Sequence, residues 1–165
     1  KKNAHRLRTE ISFIRFMESI ESIRLYNMTI TKSYIDQISY AVIGAAIEVH
    51  KSLGPGLLES VYHRCLKHEL SIRKISFESE LRVPIIYKEL DLEAEIRCDF
   101  LIENLLVVEI KAVDYVLPVH EAQILTYMNL LQVPKGTLLN FNVVNLFNQG
   151  QKTFVNGQYR TYNEG

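Results

Sequence analysis

The chain has 165 residues, 47% hydrophobic and 23% charged, with 19 basic residues balanced by 19 acidic ones. That length suits one domain with a buried core, and zero net charge argues against a broad electrostatic hold on nucleic acid while leaving room for a local groove. Cys65 and Cys98 lie far apart without CxxC spacing, which excludes a zinc ribbon or a four-cysteine cluster within one chain. They read as small core residues of a reducing, cytoplasmic protein. No apolar run approaches the roughly 18–20 residues of a membrane span, so no transmembrane helix is expected.

Residues 1–27 read as an N-terminal appendage. Phe13, Phe16, Met17, Ile20 and Ile23 recur at helical spacing, enough for a marginal amphipathic helix. Glu10, Glu18 and Glu21 weaken a transit-peptide reading. A single domain is expected over residues 28–165. Ser33 and Asp36 have the spacing of a capping box, ahead of Ile35, Ile38, Val42, Ala45, Ala46 and Val49 at helical steps. Leu53-Gly54-Pro55-Gly56 stops that helix. A second runs from about Leu57 to Ile72, its apolar face carrying Leu58, Val61, Tyr62, Cys65, Leu66 and Leu70, with Glu59 at the edge of that face. His63, Arg64, Lys67, His68, Arg73 and Lys74 form a basic cluster that is read first as a solvated face and second as a phosphate contact.

Two alternating segments follow. Ile75 to Tyr87 and Leu90 to Phe100 switch between apolar and polar residues, as half-buried antiparallel strands do. Asp99 closes the polar side of the second, and Glu103-Asn104 turns the chain into Leu105–Ala112. That third segment is apolar on both faces until it meets Glu109 and Lys111, which project from one face of a strand. Three strands therefore form a meander. An ionised pair at the end of a buried strand is unfavourable unless something uses the charge. Pro118 suits the first turn of a helix that continues to Leu131. His120, Gln123 and Tyr127 share one side of it, and Leu125, Met128 and Leu131 are expected toward the core. Thr137–Val144 reads as a further strand, Asn148-Gln149-Gly150 as a turn, Lys152–Val155 as a short edge strand, and residues 156–165 as a frayed end.

The order helix, helix, strand, strand, strand, helix, strand describes an α+β domain. Asp99 and Glu109 fall near adjacent ends of neighbouring antiparallel strands, where their carboxylates can converge. Two carboxylates with a backbone carbonyl and waters suit Mg²⁺ or Mn²⁺, which would polarise a phosphodiester. A lysine beside them can hold water or stabilise charge on phosphate oxygens.

Gly56-Leu57-Leu58-Glu59-Ser60-Val61-Tyr62 resembles the pattern of the GxxExxY proteins. Asp99 followed by Glu109-Ile110-Lys111 resembles the D…ExK signature of the PD-(D/E)XK nuclease superfamily, with Cys98 where the superfamily's name has proline. Gln123-Ile124-Leu125-Thr126-Tyr127 is similar to the QxxxY element of its RecB-like branch. The likeness runs from about Tyr34 to Val155. It implies a nuclease-type α/β core, with a central mixed sheet of four to five strands flanked by helices. It also implies a Mg²⁺- or Mn²⁺-dependent hydrolase of phosphodiester bonds, acting on nucleic acid, DNA before RNA. By the same likeness Asp99 and Glu109 would ligate the metal, with Glu59 as a further ligand or an orienter of water there. Lys111 would position the attacking water, and Gln123, Tyr127 and Tyr62 would contact the substrate, or in the case of Gln123 and Tyr127 brace Lys111. RecB-like enzymes often place a histidine on the first helix; this chain offers Glu59 there, with His63 one turn on as the second choice. Two other readings stand beside this one: a catalytically silent binding or assembly module on the same scaffold, and a non-nucleolytic Mg²⁺ phosphatase. A homo-oligomer, dimer or ring, would supply the substrate grip that a neutral monomer lacks.

Overall fold

The computed structural model describes residues 30–165 apart from Glu89; the expected N-terminal appendage lies outside the described residues. Helix α1 (Lys32–Leu53) begins earlier than the spacing of Ser33 and Asp36 suggests, because Thr31 is its cap and accepts from the Tyr34 N–H at 3.2 Å. It ends at Gly54, whose φ of 70° is a left-handed conformation that a side chain would strain. Helix α2 (Glu59–Ile72) follows the expected loop.

Strands β1 (Phe77–Tyr87), β2 (Leu90–Ile102) and β3 (Leu106–Lys111) form the expected antiparallel meander. Glu103 and Asn104 both take positive φ, 49° and 56°, and the Leu105 N–H closes the turn on the Ile102 carbonyl at 2.9 Å. A two-residue turn of that handedness matches the twist of the strands it joins. Helix α3 (Pro118–Leu130) crosses to β4 (Lys135–Asn140), which lies parallel to β3. One helical turn, α4 (Leu146–Gln149), leads into the antiparallel edge strand β5 (Gln151–Val155). The sheet is mixed, in the order β1-β2-β3-β4-β5.

Helices cover both faces. Ile35, Val42, Ala46, Tyr62, Leu66 and Leu70 pack against Phe100, Ile102, Leu106, Val108 and Ile110 on one side. Ile124, Tyr127, Met128 and Leu131 pack against Leu101, Val107 and Leu138 on the other. Covered on both faces, β3 is buried from Leu106 to Ile110, as its unbroken apolar run predicts.

Several expectations need correction. Leu125 faces solvent, and Ile124 and Tyr127 take the core positions on α3 instead. The strand expected over Thr137–Val144 ends at Asn140, where the side chain leaves the ladder and bonds the neighbouring loop. Residues 156–165 are not frayed against α1. Asn163 pairs with Thr31, the Lys32 N–H donates to the Asn163 carbonyl at 2.8 Å, and Tyr159 Oη donates to Asp36 at 2.9 Å.

The most consequential correction concerns β2. Its alternation is not continuous: Phe100 packs on the α1/α2 side, whereas Cys98, two residues earlier, packs on the α3 side. The partner strand breaks step at the same place, with Phe77 and Leu81 on opposite sides and Glu80 between them at φ 56°. The β1–β2 register passes from Ser79↔Phe100 to Leu81↔Cys98 without a Glu80–Asp99 pair. A non-glycine residue in that region marks a local distortion, and here it lies opposite Asp99.

Candidate active site

The distortion decides where Asp99 points. The β2–β3 ladder stops at Phe100↔Val108. Beyond it the Asp99 carboxylate takes over: Oδ2 accepts the Ile110 N–H at 2.8 Å. A backbone donor that the splayed strand would orphan is thereby satisfied, and the carboxylate is fixed beside the end of β3.

Glu109 and Lys111 project from β3 on the side of Val107, toward α3. Glu109 is 2% exposed. Lys111 Nζ donates to its Oε1 at 2.7 Å, while Oε2 is buried with no hydrogen-bond partner among the described residues. Burial pushes the Glu109 carboxyl up to about 7; the Asp99 charge adds to this, Lys111 opposes it, and Glu59 adds a smaller push. The order of causes follows from the setting: desolvation penalises the ionised form, and a second carboxylate penalises it further. The Cys98 thiol, buried beside both carboxylates, is raised as well, first by burial, then by Glu109 and Asp99. Cys98 is thus a protonated core residue.

The other expected residues divide. Glu59 is the first residue of α2 and exposed; it acts on Glu109 only through its charge. Tyr62, expected at the substrate, is fully buried. Its hydroxyl donates to the Gly54 carbonyl at 2.7 Å and accepts from the Leu57 N–H at 3.1 Å, and its ring stacks on Phe141 at 4.5 Å. Tyr62 therefore closes the glycine loop onto the core. Gln123 and Tyr127 do not reach Lys111 with a hydrogen bond. Gln123 Nε2 donates to Tyr127 Oη at 2.9 Å, and Tyr127 Oη donates to the Arg97 carbonyl at 2.7 Å. The relay runs from α3 to the backbone of β2 two residues before Asp99. Burial is the chief cause that raises the Tyr127 hydroxyl to about 12, so it remains a proton donor.

Two residues at the site were not assigned these parts from sequence. His63 stacks on Phe100 at 4.5 Å and has Nε2 3.4 Å from the Asp99 carbonyl, so α2 reaches Asp99 through this ring. Asn140 holds the loop after β3, with Oδ1 accepting the Val113 N–H at 3.1 Å and Nδ2 donating to the Val113 carbonyl at 2.8 Å.

The donor set fits a hard divalent cation in chemistry. Asp99 and Glu109 offer carboxylate oxygens, and Glu109 Oε2 is a buried acceptor without a hydrogen-bond partner among the described residues. Among the described residues, no three His, Cys, Asp or Glu side chains gather into a metal-holding group. None of the described helices is long and apolar enough to cross a membrane. Residues 36–154 match the family model of the PD-(D/E)XK nuclease superfamily. No curated protein and no solved structure matches the chain.

Proposed function

Because the chain belongs to the PD-(D/E)XK nuclease superfamily, we propose that it hydrolyses phosphodiester bonds of nucleic acid with Mg²⁺ or Mn²⁺ at Asp99 and Glu109. Its finer affinity is with the GxxExxY proteins and the RecB-like branch. The single observation that carries the reading is Glu109: a buried carboxylate, one oxygen on Lys111, the other without a partner among the described residues, facing Asp99's charge. A purely structural side chain would not leave a buried oxygen unsatisfied, at a penalty of about 1–3 kcal/mol or more.

Asp99 and Glu109 would hold the cation, with Glu59 at the outer edge of the site. Bound there, it supplies Lewis acidity toward a phosphoryl oxygen and lowers the pKa of coordinated water. The protein's own groups do the rest. Lys111, anchored by Glu109 Oε1, places its ammonium to hold the attacking water or to stabilise charge on the phosphate oxygens. Gln123 and Tyr127 are positioning residues, since they act on Asp99 through the Arg97 carbonyl. DNA is the preferred substrate, RNA the second.

The test uses labelled DNA and RNA, single- and double-stranded, with Mg²⁺ or Mn²⁺ against a chelator. Asp99→Asn is the informative variant because its amide oxygen can still accept the Ile110 N–H. Cleavage that needs both the cation and Asp99 supports the reading. No cleavage of any substrate, or cleavage indifferent to Asp99→Asn, overturns it. The silent-module reading draws on the donor set stopping at two carboxylates among the described residues. It predicts no heat of Mg²⁺ binding, and interactions that survive the Asp99→Asn/Glu109→Gln double substitution.

A further inference from the structure

The loop after the acid–lysine strand carries an aromatic ring in an unusual setting. Residues 112–117 follow Lys111 directly and lead into α3. Their backbone is pinned at several points. Asn140 bonds both the N–H and the carbonyl of Val113. Asn142 Nδ2 donates to Asp114 Oδ1 at 2.8 Å, tying this loop to the one after β4. Val116 packs into the α3-side core, and the Leu117 N–H donates to His120 Nδ1 at 3.1 Å. Between these anchors Tyr115 stands 80% exposed.

A large ring on a fixed backbone presents contact area at little further loss of freedom. Its place in the fold adds a direction. β3 and β4 are parallel, and the loop lies beyond their carboxyl ends, the side on which open α/β sheets collect ligands. Lys111 ends β3 at that same side, and Val144, 86% exposed, stands on the loop that Asn142 ties to Tyr115's own. An aromatic and aliphatic rim thus adjoins the proposed cleavage site.

Charge supplies the third observation. A chain with as many acidic as basic residues lacks the surplus that phosphate neutralisation needs for a strong, salt-sensitive hold. Aromatic stacking on bases provides grip without net charge and without sequence preference. We infer that Tyr115 is a stacking platform for an unpaired base of the strand that is cut, and that the substrate presents unpaired bases at the site, as single-stranded or frayed nucleic acid does. The inference rests on the nuclease reading and adds to it the form of the substrate.

Binding, measured apart from turnover, tests it. In full-length protein carrying Glu109→Gln, Tyr115 is replaced by Ala, Phe or Trp, and fluorescence anisotropy follows a labelled single-stranded DNA, the same strand built of abasic sites, and a blunt duplex. Tyr115→Ala should weaken single-strand binding about tenfold, within the range of base–aromatic stacking. Tyr115→Phe and Tyr115→Trp should retain it, and the abasic strand should not distinguish Tyr115 from Ala. Because the ring is exposed, melting curves of the variants should superimpose. Single-strand binding by Tyr115→Ala within twofold of its parent, or an abasic strand bound as tightly as the normal one, overturns the inference. If wild-type protein cleaves DNA while Tyr115→Ala binds as its parent does, the stacking platform alone fails. If wild-type protein neither cleaves nor binds any strand, the nuclease reading fails with it.

Discussion

Two acid–lysine pairs lie at opposite ends of the neighbouring parallel strands, and their partners differ. At the start of β4, Lys135 is 7% exposed and donates to Asp36 Oδ1 at 2.6 Å, while Tyr159 Oη donates to the same oxygen at 2.9 Å and its ring lies beside the ammonium. At the end of β3, Lys111 donates to Glu109 Oε1 at 2.7 Å, and Glu109 Oε2 has no hydrogen-bond partner among the described residues. The first pair joins α1, β4 and the C-terminal segment, and Asp36 remains partly open to water. The second joins two residues of one strand and ties no elements together. A buried pair that fastens nothing and leaves an oxygen unsatisfied contributes little to the fold, so its reason has to be sought in chemistry.

That contrast can be broken or sharpened by measurement, beginning with the largest effect. Asp99→Asn should lower metal-dependent cleavage by roughly 10²–10³-fold, the scale of charge-stabilising groups in active sites, with the fold intact by circular dichroism. At the other pair, Asp36→Ala should destabilise the protein by about 3 kcal/mol, because Lys135 is left charged and buried; urea denaturation reads this directly, and cleavage per folded molecule should be unchanged.

Glu109→Gln should act in the opposite sense on stability. A carboxyl raised from 4.5 to about 7 in the folded protein binds its proton more tightly there than in the unfolded chain. Its favourable contribution is complete below pH 4.5 and is lost as pH rises through about 7. In chelator, Glu109→Gln should therefore be more stable than wild type by roughly 2–3 kcal/mol at pH 8, with the gap closing toward pH 4.5. Equal pH slopes for the two proteins would show that the Glu109 proton is not linked to folding. The smallest effect is expected from Tyr159→Phe. Losing one hydrogen bond to a carboxylate costs about 1–2 kcal/mol, seen as a modest fall in the urea midpoint and no change in cleavage.

What could be read from the residues alone follows a physical line. The order of elements, the meander and the turn at Glu103-Asn104 rest on local periodicity and turn chemistry, which the chain carries on its surface. The pairing of Asp99 with the end of β3 was also legible, from spacing and from a charge where an apolar strand should end. The distortion that aims Asp99 was not. Alternation from Leu90 to Phe100 looks regular in sequence, yet the strands change step together at Glu80 and Asp99, and only the packing of Cys98 against one layer and Phe100 against the other reveals it. Tyr62 and Tyr127 show a related limit. A tyrosine has an apolar body and a polar tip, so a pattern of spacing says that it lies on a face without saying what its hydroxyl meets. In both cases the hydroxyl meets a carbonyl of the protein itself, Gly54 or Arg97. The ordered C-terminal segment escaped notice because its anchors, Thr31, Lys32 and Asp36, are more than a hundred residues away.

The docking of that segment has a consequence for how the chain is connected. Asn163 and Thr31 pair as neighbouring strands do, so the two sides of the domain's opening lie side by side. In a variant that leaves out residues 1–30, a short linker from the segment at Asn163 back to Thr31 would span them, and the hairpin end at Lys88, exposed and far from the carboxylates in the ladder, offers a place to reopen the backbone. Such a circular permutant would begin with β2, keeping β2, β3, α3 and β4 consecutive, and would deliver α1, α2 and β1 last. The acid–lysine centre, on the α3 side of the sheet, would keep its own strands and helix in one unbroken run.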